Sequence, residues 1–311
     1  MGDCASTSTA LHPVGIVLKS ADPSQCADFI PVLPSINKII LRNVTCSFSW
    51  QRSLLSSLLT LNHEVMCTLL DISIECEDGA KRIRRADINK GLNNSFRINI
   101  EEDSPNLLKA LHGLNIKTLC LREDLDVHHS DLSKVFSSLT HLETLSIETL
   151  AWFVTSYLWK ALHGLNIKTL CLRSALEDLA MHHVIECSQS LSSLTHLETL
   201  CIDLCCGSSL LWKALHGLNI KSLRMGAMSG GLNVEHVECQ SQSLSSLTHL
   251  ETLSITARFD SPGLWKALHG LNIKSLSIDQ KDLNVDDVES LSAVTIITHT
   301  AGNAYTACGY I

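Results

Sequence analysis

Hydrophobic positions recur along this chain as a compact motif, Leu/Ile-x-x-Leu-x-Leu/Ile, separated by longer amphipathic stretches. Seven good copies run Ile116/Leu119/Leu121, Leu142/Leu145/Ile147, Ile167/Leu170/Leu172, Leu197/Leu200/Ile202, Ile220/Leu223/Met225, Leu250/Leu253/Ile255 and Ile273/Leu276/Ile278. Alternation with period two at the end of each motif predicts a short strand with one face buried. The central Leu advances by 26, 25, 30, 23, 30 and 23 residues, a repeat of the length that holds one strand and one crossover. Weaker copies precede these at Ile36/Ile39/Leu41, at Leu69/Ile72/Ile74 and around Ile98 and Ile100. About ten strands are therefore expected. Another copy begins at Ser290 to Thr295 and loses register where Thr298-His299-Thr300 stands.

The segments between strands carry helical signals. Ala-Leu-His-Gly-Leu-Asn-Ile-Lys occurs verbatim from Ala110, Ala161, Ala214 and Ala267, and Ser-Ser-Leu-Thr-His-Leu-Glu-Thr-Leu from Ser137, Ser192 and Ser245. Ser104-Pro105 and Ser261-Pro262 place an N-cap before a Pro at the first helical position. Gly within the octapeptide falls where a left-handed residue ends a helix, with His near the helix's negative end. Connectors such as Asn233 to Glu238 lead into Ser-Leu-Ser-Ser-Leu and predict a second helix type. Parallel strands need such crossovers. The expected fold is an α/β horseshoe with parallel strands on the concave face and helices on the convex face. It divides into an N-terminal flank or cap (1–35), the repeats (36–297) and an irregular tail (298–311).

With these motifs the chain resembles the leucine-rich-repeat region of ribonuclease-inhibitor-like proteins. The alternating short and long repeats and near-identical duplicated units are similar to the C-terminal repeats of animal NLR-type receptors. That resemblance implies a solenoid that binds a protein partner, as an innate-immune sensor or regulator. The alternative is an adaptor horseshoe, such as the substrate-recruiting arm of a ubiquitin ligase, although residues 1–35 show no strong helical period for an adaptor-binding motif. The family consensus carries Asn or Cys three residues past the last Leu. Here Asp124, Leu150, Ala175, Cys205, Met228, Arg258 and Lys281 stand there; only Cys205 fits, so irregular loops are expected. No NACHT-type nucleotide site is present.

Composition narrows the chemistry. Hydrophobic residues reach 45% and aromatics only 5%, so aliphatic side chains must fill the core. A net charge of −8 gives no electrostatic basis for binding nucleic acid or anionic membrane. Thirteen Cys is an odd number and forms no CxxC pair. Cys120, Cys171 and Cys201 lie in apolar strand-like runs, where a thiol behaves as a small hydrophobe. The apolar run Val14 to Leu18 is too short for a signal core, and no stretch reaches membrane-spanning length. These features point to a reducing, cytoplasmic setting.

Other motifs have bland explanations. Gly-Leu-Asn-Ile-Lys lacks the Gly before Lys that a phosphate loop needs, and it enters a strand. Seven of the fifteen His are repeat positions, and the doublets His128-His129 and His182-His183 are equivalent sites in successive units. No Cys or acidic partner recurs at metal-ligand spacing. Lys81 to Arg85 reads as the solvated face of a connector. Met1-Gly2-Asp3-Cys4-Ala5-Ser6 has N-myristoylation spacing, against which Asp3 counts. No catalytic, cofactor or metal residue is assigned.

Stacking the strands orders the surface into columns. Lys117, Glu143, Lys168, Glu198, Lys221, Glu251 and Lys274 alternate in charge. The next column is Thr or Ser throughout, and the next reads Cys120, Ser146, Cys171, Cys201, Arg224, Ser254, Ser277. The inner face is thus expected to be small, polar and self-neutralised. Sequence differences between units concentrate just past each strand. The candidate partner-binding residues are accordingly Trp152, Phe153, Arg122, Glu148, Arg173, Asp203, Arg224 and Phe259, with burial as core aromatics the competing reading for Trp152 and Phe153. The uncharged tail Ala301 to Ile311 is expected to cap the last repeat poorly, as in a truncated or variant repeat protein, and to favour self-association.

Overall fold

Each hydrophobic motif becomes a short strand because its alternate side chains share one dry face. The structure is a computed structural model describing residues 14–19, 36–75, 81–101, 105–123, 132–149, 156–174, 181–204, 209–226, 237–256, 268 and 271–279. In chain order the elements are β1 (Val14–Lys19), β2 (Ile36–Arg42), β3 (Thr45–Ser47), α1 (Phe48–Thr60), β4 (Val65–Glu75), β5 (Lys81–Lys90) and β6 (Ser95–Glu101). Then follow α2 (Pro105–Ala110), β7 (Thr118–Glu123), α3 (Leu132–Ser138), β8 (Thr144–Thr149), α4 (Ser156–Leu162) and β9 (Thr169–Ser174). The last are α5 (Met181–Ser193), β10 (Thr199–Leu204), α6 (Ser209–Leu215), β11 (Ser222–Gly226), α7 (Val237–Ser246), β12 (Thr252–Thr256) and β13 (Ser275–Asp279). All strands join one open sheet in the order β1-β2-β4-β5-β6-β7-β8-β9-β10-β11-β12-β13, with β3 beside β4.

From β6 to β13 every pairing is parallel and the motif residues align without slip. Leu119, Leu145, Leu170, Leu200, Leu223, Leu253 and Leu276 form one column and none exceeds 1% exposure. The helices close the other side of this core through Phe136, Trp159, Leu191, Trp212 and Leu244, all buried. One strand and one helix per repeat, stacked in register around a continuous Leu core, is a leucine-rich-repeat solenoid.

All ten expected strands are present, and β1, β3 and β5 add to them. The run Val14 to Leu18, considered above only as a signal core, forms β1 and pairs parallel with β2. The basic run Lys81 to Arg85 is not a connector: it opens β5, which pairs antiparallel with both β4 and β6. Only five residues separate β4 from β5, too few for a parallel crossover, so the chain must reverse. Asn93 and Asn94 then make the β5–β6 turn at φ 54° and 57°, a conformation Asn tolerates.

The irregular spacing of the early motifs has a backbone cause. Leu69 and Ile72 are three apart, which would put them on opposite faces of a regular strand. Asp71 at φ 53° resets the phase, and Asn43 at φ 54° does the same between Leu41 and Val44. All four hydrophobic residues are buried. Lys90, 3% exposed, donates from Nζ to the carbonyls of Leu61 (2.5 Å) and His63 (3.2 Å), closing the end of α1. Burial lowers its pKa, opposed by the Glu64 carboxylate.

Three of the four expected glycine caps are in place, and Gly270 lies outside the described residues. Gly113, Gly164 and Gly217 have φ of 69°, 72° and 74°. Each donates its backbone N–H to a serine of the following long repeat: Ser138, Ser193 and Ser246, at 2.8, 2.8 and 2.9 Å. The cap sites Ser104 and Ser261, and the seven positions set against the Asn/Cys consensus, lie outside the described residues.

Candidate partner-binding face

Three rows of side chains stand on the concave face, because residues i and i+2 of each strand point away from the Leu core. The first row is Thr118, Thr144, Thr169, Thr199, Ser222, Thr252, Ser275, in the expected register. The middle row runs Lys38, Met66, Asn89, Arg97, Cys120, Ser146, Cys171, Cys201, Arg224 and on to Ser254 and Ser277. The outer row runs Ile40, Thr68, Asp87, Asn99, Arg122, Glu148, Arg173, Asp203, Gly226.

Four sequence-predicted residues meet in that outer row. Arg122 Nε lies 3.6 Å from Glu148 Oε1, and Arg173 Nε lies 3.6 Å from Asp203 Oδ2. Arg224 stands in the middle row as the register partner of Cys201. Gly226 has no side chain to compete with Asp203, whose carboxylate fills the space a Cβ there would need. Trp152, Phe153 and Phe259 lie outside the described residues.

The alternating Lys/Glu column is a real ladder, but it sits just before the strands rather than within the trough. Glu143–Lys168 (3.1 Å), Glu198–Lys221 (3.1 Å) and Glu251–Lys274 (2.9 Å) are paired. The Lys168 ammonium, first by hydrogen bond and then by charge, holds the Glu143 carboxyl below its ordinary pKa. Lys117 O accepts from both Glu143 N and Thr144 N, and the pattern continues along the stack.

A trough of about 570 Å³ opens over β2 to β10. Its lining holds Lys38, Arg85, Arg97, Arg122 and Arg173 against two carboxylates, Asp87 and Glu148. The small, self-neutralised inner face expected from the later strands does not extend to this half. Three of the cations, Lys38, Arg85 and Arg97, come from the early strands, whose degenerate motifs left them out of the column reading. Arg85 belongs to the reversed strand β5, which no repeat pattern marks. The outer-row arginines were legible as candidates.

The middle row also brings thiols together. Cys171 and Cys201 are register partners on β9 and β10, and a hydrogen bond joins them. That bond, opposed by burial and by Asp203 and reinforced by Arg224 and Arg173, brings the Cys201 thiol down to about 7. Burial instead pushes Cys67 and Cys187 up to about 12. Among the described residues no group of three or more His, Cys, Asp or Glu is placed to hold a metal. The repeat histidines His112, His141, His163, His196, His216 and His249 are exposed. No helix among the described residues is long and apolar enough to cross a membrane.

No family model and no curated protein matches the chain. Among solved structures, it is similar to the crystal structure of the leucine-rich repeat-containing protein LegL7 from Legionella pneumophila. The TM-score is 0.48 at 15% identity, over 90% of this chain and 97% of that one.

Proposed function

We propose that this solenoid is a protein-interaction module that receives an acidic segment of its partner in the concave trough, with the loop rims supplying further contacts. The observation that carries the reading is the trough's charge. Five cations line the trough, and after the pairs Arg85–Asp87, Arg122–Glu148 and Arg173–Asp203 are counted a positive excess remains, on a chain whose net charge is −8. A positive concavity on a negative molecule steers and orients an acidic ligand. Arg side chains also bind carboxylates in a bidentate fork, which adds geometric selectivity. The sequence candidates Trp152, Phe153 and Phe259 are the aromatic anchors of this reading.

The resemblance to NLR-type repeats supports a role in innate-immune sensing or regulation, and the thiol-rich, CxxC-free composition supports a cytoplasmic setting. Self-association through the uncharged C-terminal end belongs to the same proposal, and light scattering of the full chain tests it: a monodisperse monomer at all concentrations removes it.

The binding test uses a fluorescent oligoglutamate peptide and the full chain. Anisotropy should report saturable binding that the double variant Arg97→Glu/Arg122→Glu weakens by at least about tenfold, since like charges replace attraction. Equal binding by wild type and double variant overturns the trough as the site. For the rim, Trp152→Ala should leave the melting temperature unchanged and weaken partner binding by about 2 kcal/mol or more. A destabilised variant that still binds with native affinity removes Trp152 as an anchor.

A further inference from the structure

Of the cysteines that the structure describes, two differ from the rest in what surrounds them. Cys171 and Cys201 face each other across adjacent parallel strands, and both line the trough. Neighbouring strands lie about 4.8 Å apart, within the Cα span that a disulfide bridges. Arg224 is the register partner of Cys201 on its other side, and Arg173 follows Cys171 by two residues on the same face. Packing does not demand sulfur here, because Ser146, Ser254 and Ser277 fill the same row in sister repeats.

We propose that Cys171 and Cys201 form a dithiol modification site that exchanges with small anionic disulfides entering the trough. The Cys201 thiolate attacks one sulfur of the incoming disulfide RSSR. A Cys201–SR bond forms, the S–S bond of RSSR breaks, and one RS⁻ leaves. Cys171 then gives its proton to solvent, and its thiolate attacks the Cys201 sulfur. The Cys171–Cys201 bond forms, and the second RS⁻ departs. Two protein thiols are oxidised by two electrons, and one disulfide is reduced to two thiols. The guanidinium groups favour the thiolate and attract the carboxylates of an anionic RSSR.

Selectivity follows from the neighbours. Near pH 7 a thiol at about 7 is half ionised, whereas one at its ordinary 9.0 is about one per cent ionised. The gain in thiolate is offset by lower intrinsic nucleophilicity, which leaves a rate advantage of about fivefold. Cys67 and Cys187, buried and pushed up to about 12, have essentially no thiolate to offer. The site is independent of the partner-binding proposal, since its readout is thiol chemistry alone.

The experiment incubates the reduced full chain with glutathione disulfide and maps the products by peptide mass spectrometry. Wild type should acquire the Cys171–Cys201 disulfide ahead of other products. Cys171→Ser should trap a glutathionyl group on Cys201, and Cys201→Ser should slow modification at the pair by about fivefold at pH 7. Serine already occupies this row elsewhere, so both variants should fold, and melting curves check that they do. Cystamine, a cationic disulfide, should react more slowly than glutathione disulfide, and Arg224→Gln should narrow that difference. Label distributed over the thirteen cysteines with no preference for the pair overturns the site, as does a Cys171→Ser protein with Cys201 unmodified. Equal rates for the two disulfides overturn the anionic selectivity.

Discussion

Leu200 sits in mid-stack with no measurable exposure, between Leu170 and Leu223 on the flanking strands. Truncating it leaves a cavity that regular neighbours on both sides cannot collapse into. Leu200→Ala should therefore cost about 2–5 kcal/mol, read as a shift in denaturant midpoint; a wild-type midpoint would mean the register is wrong. Ser190 tests a polar contact of the same core. Its hydroxyl donates to the Trp159 carbonyl at 2.6 Å, and Ser243 does the same for Trp212. Both carbonyls lie near the end of a short helix, so each serine ties one helix to the next. Ser190→Ala removes this buried hydrogen bond and should cost about 0.5–1.5 kcal/mol, while Ser190→Thr should recover part of it. In the first unit Leu108 and Val135 occupy the positions of this Trp–Ser pair, and both are buried. There only the donor is lost, and the Leu108 carbonyl accepts instead from the Leu111 N–H at 3.0 Å.

At the scale of the element, neighbouring helices finish one another. The helices α2, α4 and α6 have six or seven residues, too short to be stable alone. Each ends in a left-handed Gly whose N–H is taken by a serine of the next helix, and those serines, Ser138, Ser193 and Ser246, are the second serine of the verbatim nonapeptide. The Lys/Glu ladder acts at the opposite edge of the repeats. Glu143 has a depressed folded pKa, so its contribution is present above the unfolded carboxylate pKa and is lost as pH falls through the lower folded value. Because the pair is exposed, salt should screen it. Glu143→Gln should lower the melting temperature slightly at pH 7 and low salt, and the difference should vanish both in 1 M NaCl and at a pH below the folded value. A difference that persists in high salt would mean the ladder acts through packing, not charge.

For the whole molecule, function depends on how the strands distribute charge around the curve. The cations of the trough come from β2, β5, β6, β7 and β9, far apart in sequence, and the continuous sheet gathers them on one concavity. Their joint field should make acidic-peptide binding fall steeply between 50 mM and 500 mM NaCl, mainly through a slower association rate. An affinity independent of salt would place the binding energy in apolar rim contacts instead. Cooperative stacking also means that the antiparallel β4–β5–β6 segment must hold against the solenoid on one side and β2 on the other, so it belongs to the same continuous core.

The sequence by itself determined the repeat, the strand register from Leu119 to Leu276, the glycine helix ends and the alternating charges. Each of these is local: period-two hydrophobicity, a positive-φ glycine and a fixed repeat length act within a few residues of one another. The verbatim duplications made them legible. Only the tertiary structure decided the rest. It turned Lys81 to Arg85 into an antiparallel strand, because the loop before it is too short for a crossover. It kept Leu69 and Ile72 on one face through a left-handed Asp71, which no hydrophobic period records. It set the charged ladder outside the trough, assembled a net positive concavity on an acidic chain, and joined Cys171 to Cys201. These depend on which strand lies beside which. Residues separated by tens of positions become neighbours only once the sheet has stacked, and a pKa or a binding field is set by those neighbours.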